Sequence, residues 1–117
     1  MTATILLNSA MMPDEGVYIL SRISRNEFAK LIADAHRRGD LTSYIGYAET
    51  AKHIERVSGV PVRVNRAATQ LPDHALILIC KLAYRVQDPS AKGKLQPSDS
   101  DYEYFAAAYD RAKELRE

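Results

Sequence analysis

The sequence predicts one α/β domain over residues 1–117, a mixed β-sheet of about five strands flanked by three helices. Three observations predict it. Short apolar runs alternate with amphipathic helical stretches through the first two thirds of the chain, as when helices pack on a sheet. Residues 75–84, A-L-I-L-I-C-K-L-A-Y, are almost unbroken in apolar character, the mark of a central strand covered on both faces. The helical stretches also carry start and stop signals, notably Ser24 before one of them and Gly39 and Gly59 after two of them. A chain of 117 residues makes one domain with a real core, yet is small enough to gain from dimerisation. No internal repeat or domain boundary interrupts it.

The elements follow in order. Ile5, Leu6 and Leu7 make a buried first strand, and Asn8-Ser9 supply turn chemistry at its end. Residues 11–16 are a loop and 17–20 a second strand. Ser24 with Glu27 three residues later fits a capping box, and Phe28, Leu31, Ile32 and Ala35 recur at helical spacing until Gly39. Residues 41–45 read as a strand, and 47–57 as a helix with Ala51, Ile54 and either Val57 or Ser58 inward and Gly59 as C-cap. Residues 60–64 alternate apolar side chains with Pro61 and Arg63, which suggests a strand near an edge. After the long apolar run, residues 89–100 form a polar loop. A last helix at about 99–115, capped by Ser98 or Ser100, carries Tyr102, Phe105, Ala106 and Tyr109 as a stripe.

Composition narrows the function classes. With 46% hydrophobic and 26% charged residues, the chain is neither disordered nor fibrous. A net charge of +1 with both signs interspersed argues against a protein built to coat DNA. No apolar run approaches the roughly 20 residues that span a bilayer. The N-terminus lacks the basic start of a secretory signal, so a cytoplasmic protein is expected, in the host cytoplasm if the source is viral. Cys80 is the one cysteine, which leaves no disulfide and no cysteine-rich metal site. No cofactor is expected.

Residues 43–66, S-Y-I-G-Y-A-E-T-A-K-H-I-E-R-V-S-G-V-P-V-R-V-N-R, concentrate the functional signal. They place a helix N-terminus, with unpaired N–H groups and partial positive charge, near an arginine, and both suit a phosphate. Leu7-Asn8-Ser9-Ala10, Ser43-Tyr44-Ile45-Gly46, Thr50, Gly59, Asn65-Arg66 and Arg85, in this order, resemble the ring nucleases, a family that includes viral type III anti-CRISPR proteins. The likeness runs through the first loop and residues 44–88, and leaves the last stretch of about 25 residues uncovered.

The resemblance implies a two-fold homodimer that takes cyclic tetra-adenylate across its axis. It implies metal-independent cleavage, in which a ribose 2′-hydroxyl attacks its own phosphate, a histidine protonates the leaving oxygen and an arginine steadies the charge. Carried over, Asn8, Ser9 and Ala10 face the ligand from the first loop. Ser43, Tyr44 and Gly46 form the strand-to-helix turn, and Thr50, Asn65 and Arg66 complete the binding residues. Arg66 is the phosphate-contacting arginine, and Asp88 stands where active members carry a glutamate.

Tyr47 stands where the catalytic histidine is expected. An imidazole near pKa 6.5 exchanges protons at neutrality far more readily than a phenol near 10. The ring of Tyr47 either packs on the sheet or serves as a stacking surface for adenine. His53 is turned away from Tyr47 on the same helix, His36 ends another helix, and His74 is the one to test as a substitute. The expected function is therefore binding of a cyclic oligoadenylate, by sequestration or slow cleavage; the competitor is a DNA- or protein-binding accessory dimer without nuclease activity. Bland readings stand beside these: Asn8-Ser9 and Asp88-Pro89 as turn chemistry, Arg66 as a surface or interface arginine.

Overall fold

The computed structural model describes residues 3–9, 16–67, 69, 71–82 and 99–110. β1 (Thr4–Leu7), β2 (Val17–Ile23), α1 (Arg25–Arg38), β3 (Leu41–Ser43), α2 (Ala48–Ser58), β4 (Leu76–Leu82) and β5 (Tyr102–Asp110) follow one another, with a 3-10 turn, Asp99–Asp101, before β5. The five strands form one mixed sheet in the order β2-β5-β4-β1-β3. β1 runs parallel to both β3 and β4, whereas β5 is antiparallel to β4 and to β2.

Strand alternation divides the core between the two faces of the sheet. Leu6, Leu78, Cys80, Tyr102 and Tyr104 point to the side where Phe28 and Ile32 of α1 and Ala51 and Ile54 of α2 complete the first cluster. Ile5, Leu7, Ile77, Ile79, Ala107 and Tyr109 point the other way, where Leu71 and Ala75 join them. β4 is central and covered on both faces, as its composition predicts. α1 begins at Ser24, whose hydroxyl accepts the Glu27 N–H at 3.1 Å, and ends at Gly39 in the left-handed region at φ 78°.

Two expectations fail. Residues 60–64 are not a strand: Val64 alone bridges Ile45, while Val60 and Val62 drop into the first core cluster. Pro61 cannot donate to a ladder. The last element is β5, not a helix, so the helices number two among the described residues. Tyr102 and Tyr104 alternate onto one face and Phe105, Ala107 and Tyr109 onto the other, a period of two that the helical stripe obscured. The alanines at 106–108 favour a helix locally, but the slot between β2 and β4 supplies hydrogen bonds on both edges of the segment. Residues 11–15, 89–98 and 111–117 lie outside the described residues, as do Ala10, Arg85 and Asp88.

Candidate functional site

The parallel strands β1, β3 and β4 end on the same side, and α2 starts there. In α/β sheets this is the edge at which ligands bind. Leaving β3, the chain stays attached to β1 for one more step, Tyr44 N donating to Leu6 O at 2.9 Å. Ser43 Oγ donates to Arg63 O at 2.8 Å and accepts the Ile45 N–H at 3.2 Å, pinning the returning segment to the turn. Asn65 then closes the unit. Its N–H donates to Ile45 O at 2.8 Å, its Nδ2 to Ser43 O at 3.1 Å, and its Oδ1 accepts Ala67 N–H at 3.0 Å.

Gly46 is held from both sides. Its N–H donates to Asn8 Oδ1 at 2.9 Å, and its carbonyl accepts from Arg66 Nε at 2.8 Å. Asn8, Ser43, Gly46, Asn65 and Arg66, drawn from three separate stretches, are thus one hydrogen-bonded unit. Sequence order alone does not show that the first loop and residues 65–66 meet on one residue, Gly46. Arg66 is exposed, and beyond Nε its guanidinium enters no ion pair among the described residues.

Tyr47 is the N-cap of α2, with φ −123° and ψ 130°, and its own side chain makes no capping hydrogen bond. The first intrahelical bond is Ala51 N to Tyr47 O at 3.1 Å. The N–H groups of Ala48, Glu49 and Thr50 therefore have no partner within the helix and carry the positive end of its dipole. The Tyr47 side chain stands 62% exposed, which removes the reading in which its ring packs on the sheet. Thr50 faces inward: it is buried, and its hydroxyl bonds the phenol of Tyr102. Tyr44 leans half-buried on the second core cluster, and Ser9 is half-buried after Asn8.

None of the three histidines stands at this turn. His53 is wholly buried, its Nε2 2.6 Å from Tyr104 Oη and its ring stacked on Tyr102 at 4.0 Å. His36 is in the last turn of α1, which leads into the start of β3. His74 sits just before β4, and β4 is parallel to β1, so it lies at the opposite end of the sheet from Asn8. A strand rise of about 3.3 Å per residue sets that separation at roughly 20 Å.

The buried network Thr50–Tyr102–His53–Tyr104 escaped the sequence reading. His53 lies three residues after Thr50, hence on the same helix face, and that spacing was the available signal. Burial raises the Tyr102 phenol pKa, and the Thr50 hydrogen bond opposes that rise. Burial also pushes the neighbouring Cys80 thiol up to about 12. A separate surface cleft of about 490 Å³, lined by Ser24, Arg25, Asn26, Arg56 and Val57, opens between the start of α1 and the end of α2.

No curated protein matches the sequence. Among solved structures, B116 of Sulfolobus turreted icosahedral virus superposes with a TM-score of 0.71, over 90% of this chain and 97% of that one. At 14% identity this likeness is one of fold. The family model described as STIV B116-like matches residues 4–104, from the start of β1 into β5. By that match, which takes in both helices and the whole Asn8–Gly46–Arg66 unit, the chain belongs to the STIV B116-like family.

Proposed function

We propose that this protein binds a cyclic oligoadenylate second messenger at a homodimer interface, and either sequesters it or cleaves it slowly. The observation that carries the reading is the Arg66–Gly46 hydrogen bond immediately before the start of α2, where the N-cap Tyr47 makes no side-chain capping bond. It fixes a guanidinium beside three helix N–H groups while leaving its terminal nitrogens for a phosphate, a pairing that favours anions on two grounds. The exposed ring of Tyr47 adds a surface on which adenine can stack, worth about 1–3 kcal/mol per base. Two copies of this arrangement about a two-fold axis would suit a small closed ribonucleotide.

Cleavage would proceed by attack of a ribose 2′-hydroxyl, its proton passing to water, on the adjacent phosphate, with Arg66 stabilising the developing charge. A 2′,3′-cyclic phosphate would form as the bond to the 5′-oxygen breaks. That oxygen would leave as a hydroxyl on taking a proton from water or the Tyr47 phenol. The general acid is the weak point: tyrosine at position 47 in place of histidine sacrifices a group typically worth about 10²–10⁴-fold in rate. Positioning and charge stabilisation remain, so binding dominates and turnover is slow. Asp88 would assist as the acidic partner.

The test incubates purified protein with radiolabelled cyclic tetra-adenylate and runs a native gel beside a denaturing one. A retarded, intact ring supports sequestration, and linear products support the nuclease. Retardation of duplex DNA without retardation of the ring would favour the accessory-dimer alternative. Arg66→Ala should weaken ring binding at least tenfold with little change in thermal midpoint, because Arg66 is a surface residue. Tyr47→His should raise cleavage by one to two orders of magnitude if the scaffold is otherwise competent.

A further inference from the structure

The register of β4 against β5 gathers three donors at the end of the sheet away from Arg66. Leu76 pairs with Ala108, and Tyr109 N donates to Ala75 O at 3.2 Å. The turn at residues 73–74 therefore stands beside Asp110, the last residue of β5. A carboxylate oxygen of Asp73, an imidazole nitrogen of His74 and a carboxylate oxygen of Asp110 all lie within 4.8 Å of one another.

The Asp73–His74 spacing is compatible with two ligands of one ion as well as with an ion pair. Asp73 Oδ2 is 3.6 Å from His74 Nε2, beyond a hydrogen bond. Two donors on one tetrahedral ion with bonds of 2.0–2.1 Å stand about 3.4 Å apart. The other Asp73 oxygen, Oδ1, accepts the His74 N–H at 2.9 Å. Asp110 comes from a different element, so sheet register and not sequence adjacency brings it to Asp73 and His74.

We propose that Asp73, His74 and Asp110 bind a first-row divalent cation of the zinc class, with water completing the coordination. Two carboxylates balance the charge of the ion, and the imidazole selects transition metals over magnesium and calcium. The ion would clip the turn before β4 to the end of β5. It would stand far from the Gly46–Arg66 unit, so its role is to stabilise the sheet end.

The experiment uses the full, tag-free chain stripped with a chelator and titrated calorimetrically with zinc chloride and, separately, magnesium chloride. Expected are one zinc per chain, at least tenfold preference over magnesium, and a thermal midpoint that rises with zinc. His74→Asn, chosen because asparagine tolerates the positive φ of 63° at this position, and Asp110→Asn should each weaken zinc at least tenfold. Both should cancel the zinc-dependent rise in midpoint while keeping the circular dichroism of the parent. His36→Gln should change nothing. Absence of stoichiometric zinc binding, binding undiminished in both donor variants, loss in His36→Gln, or equal affinity for magnesium would each overturn the proposal.

Discussion

Arg66 and His53 show how much a residue's role depends on what surrounds it. Arg66 is exposed, yet a single bond from Nε to the Gly46 carbonyl gives it a fixed place at the start of α2. His53 has the chemistry sought at position 47 but is sealed between Tyr102 and Tyr104. A buried polar group that loses its partner costs its full desolvation, so that contact can be weighed. Tyr104→Phe should lower unfolding free energy by about 1–3 kcal/mol in urea denaturation, because the imidazole nitrogen 2.6 Å away would lose the hydroxyl. A cost below about 0.5 kcal/mol would mean that this hydrogen bond adds little to the packing of the rings.

Between residues and the whole fold, β5 is the element on which local and tertiary preferences disagree. Its alanines suit a helix, and its aromatic spacing fits either period over a short window. Pairing with β2 and β4 decides the matter, with seven residues in register on each side. Ala108 is exposed on this strand, which makes it a diagnostic position. Ala108→Thr should leave stability unchanged or raise it by up to about 1 kcal/mol, since β-branched side chains suit a pleated surface. The same change on a helix would cost about half a kcal/mol, so the sign of the shift in a chemical melt tests the strand.

For the molecule as a whole, burial of titratable groups sets the alkaline limit of stability. Cys80 ionises near 9 when exposed, but burial in the folded chain raises it to about 12. Between those values the unfolded chain releases a proton that the folded chain retains, so stability is full below about pH 9 and falls as pH climbs toward 12. Tyr102, also raised by burial, acts in the same direction. The loss from Cys80 alone approaches about 4 kcal/mol. The thermal midpoint should therefore fall steeply between pH 9 and 11, and Cys80→Ala should flatten that slope. An unchanged slope would show that the thiol does not govern it. No helix among the described residues is long and apolar enough to cross a membrane.

The sequence by itself determined the α/β class, the first two helices with their C-terminal glycines and the central position of β4. Those features are written in local signals: apolar runs, Ser24 and the two helix-ending glycines, which act through the backbone within a few residues. Tertiary structure alone decided that residues 102–110 pair as a strand, that 60–64 do not, that Thr50 and His53 turn inward, and that Asn8 and Arg66 meet on Gly46. These outcomes depend on which partner a segment finds across the sheet, and hydrogen bonds between residues 20 or 38 positions apart leave no trace in the local pattern.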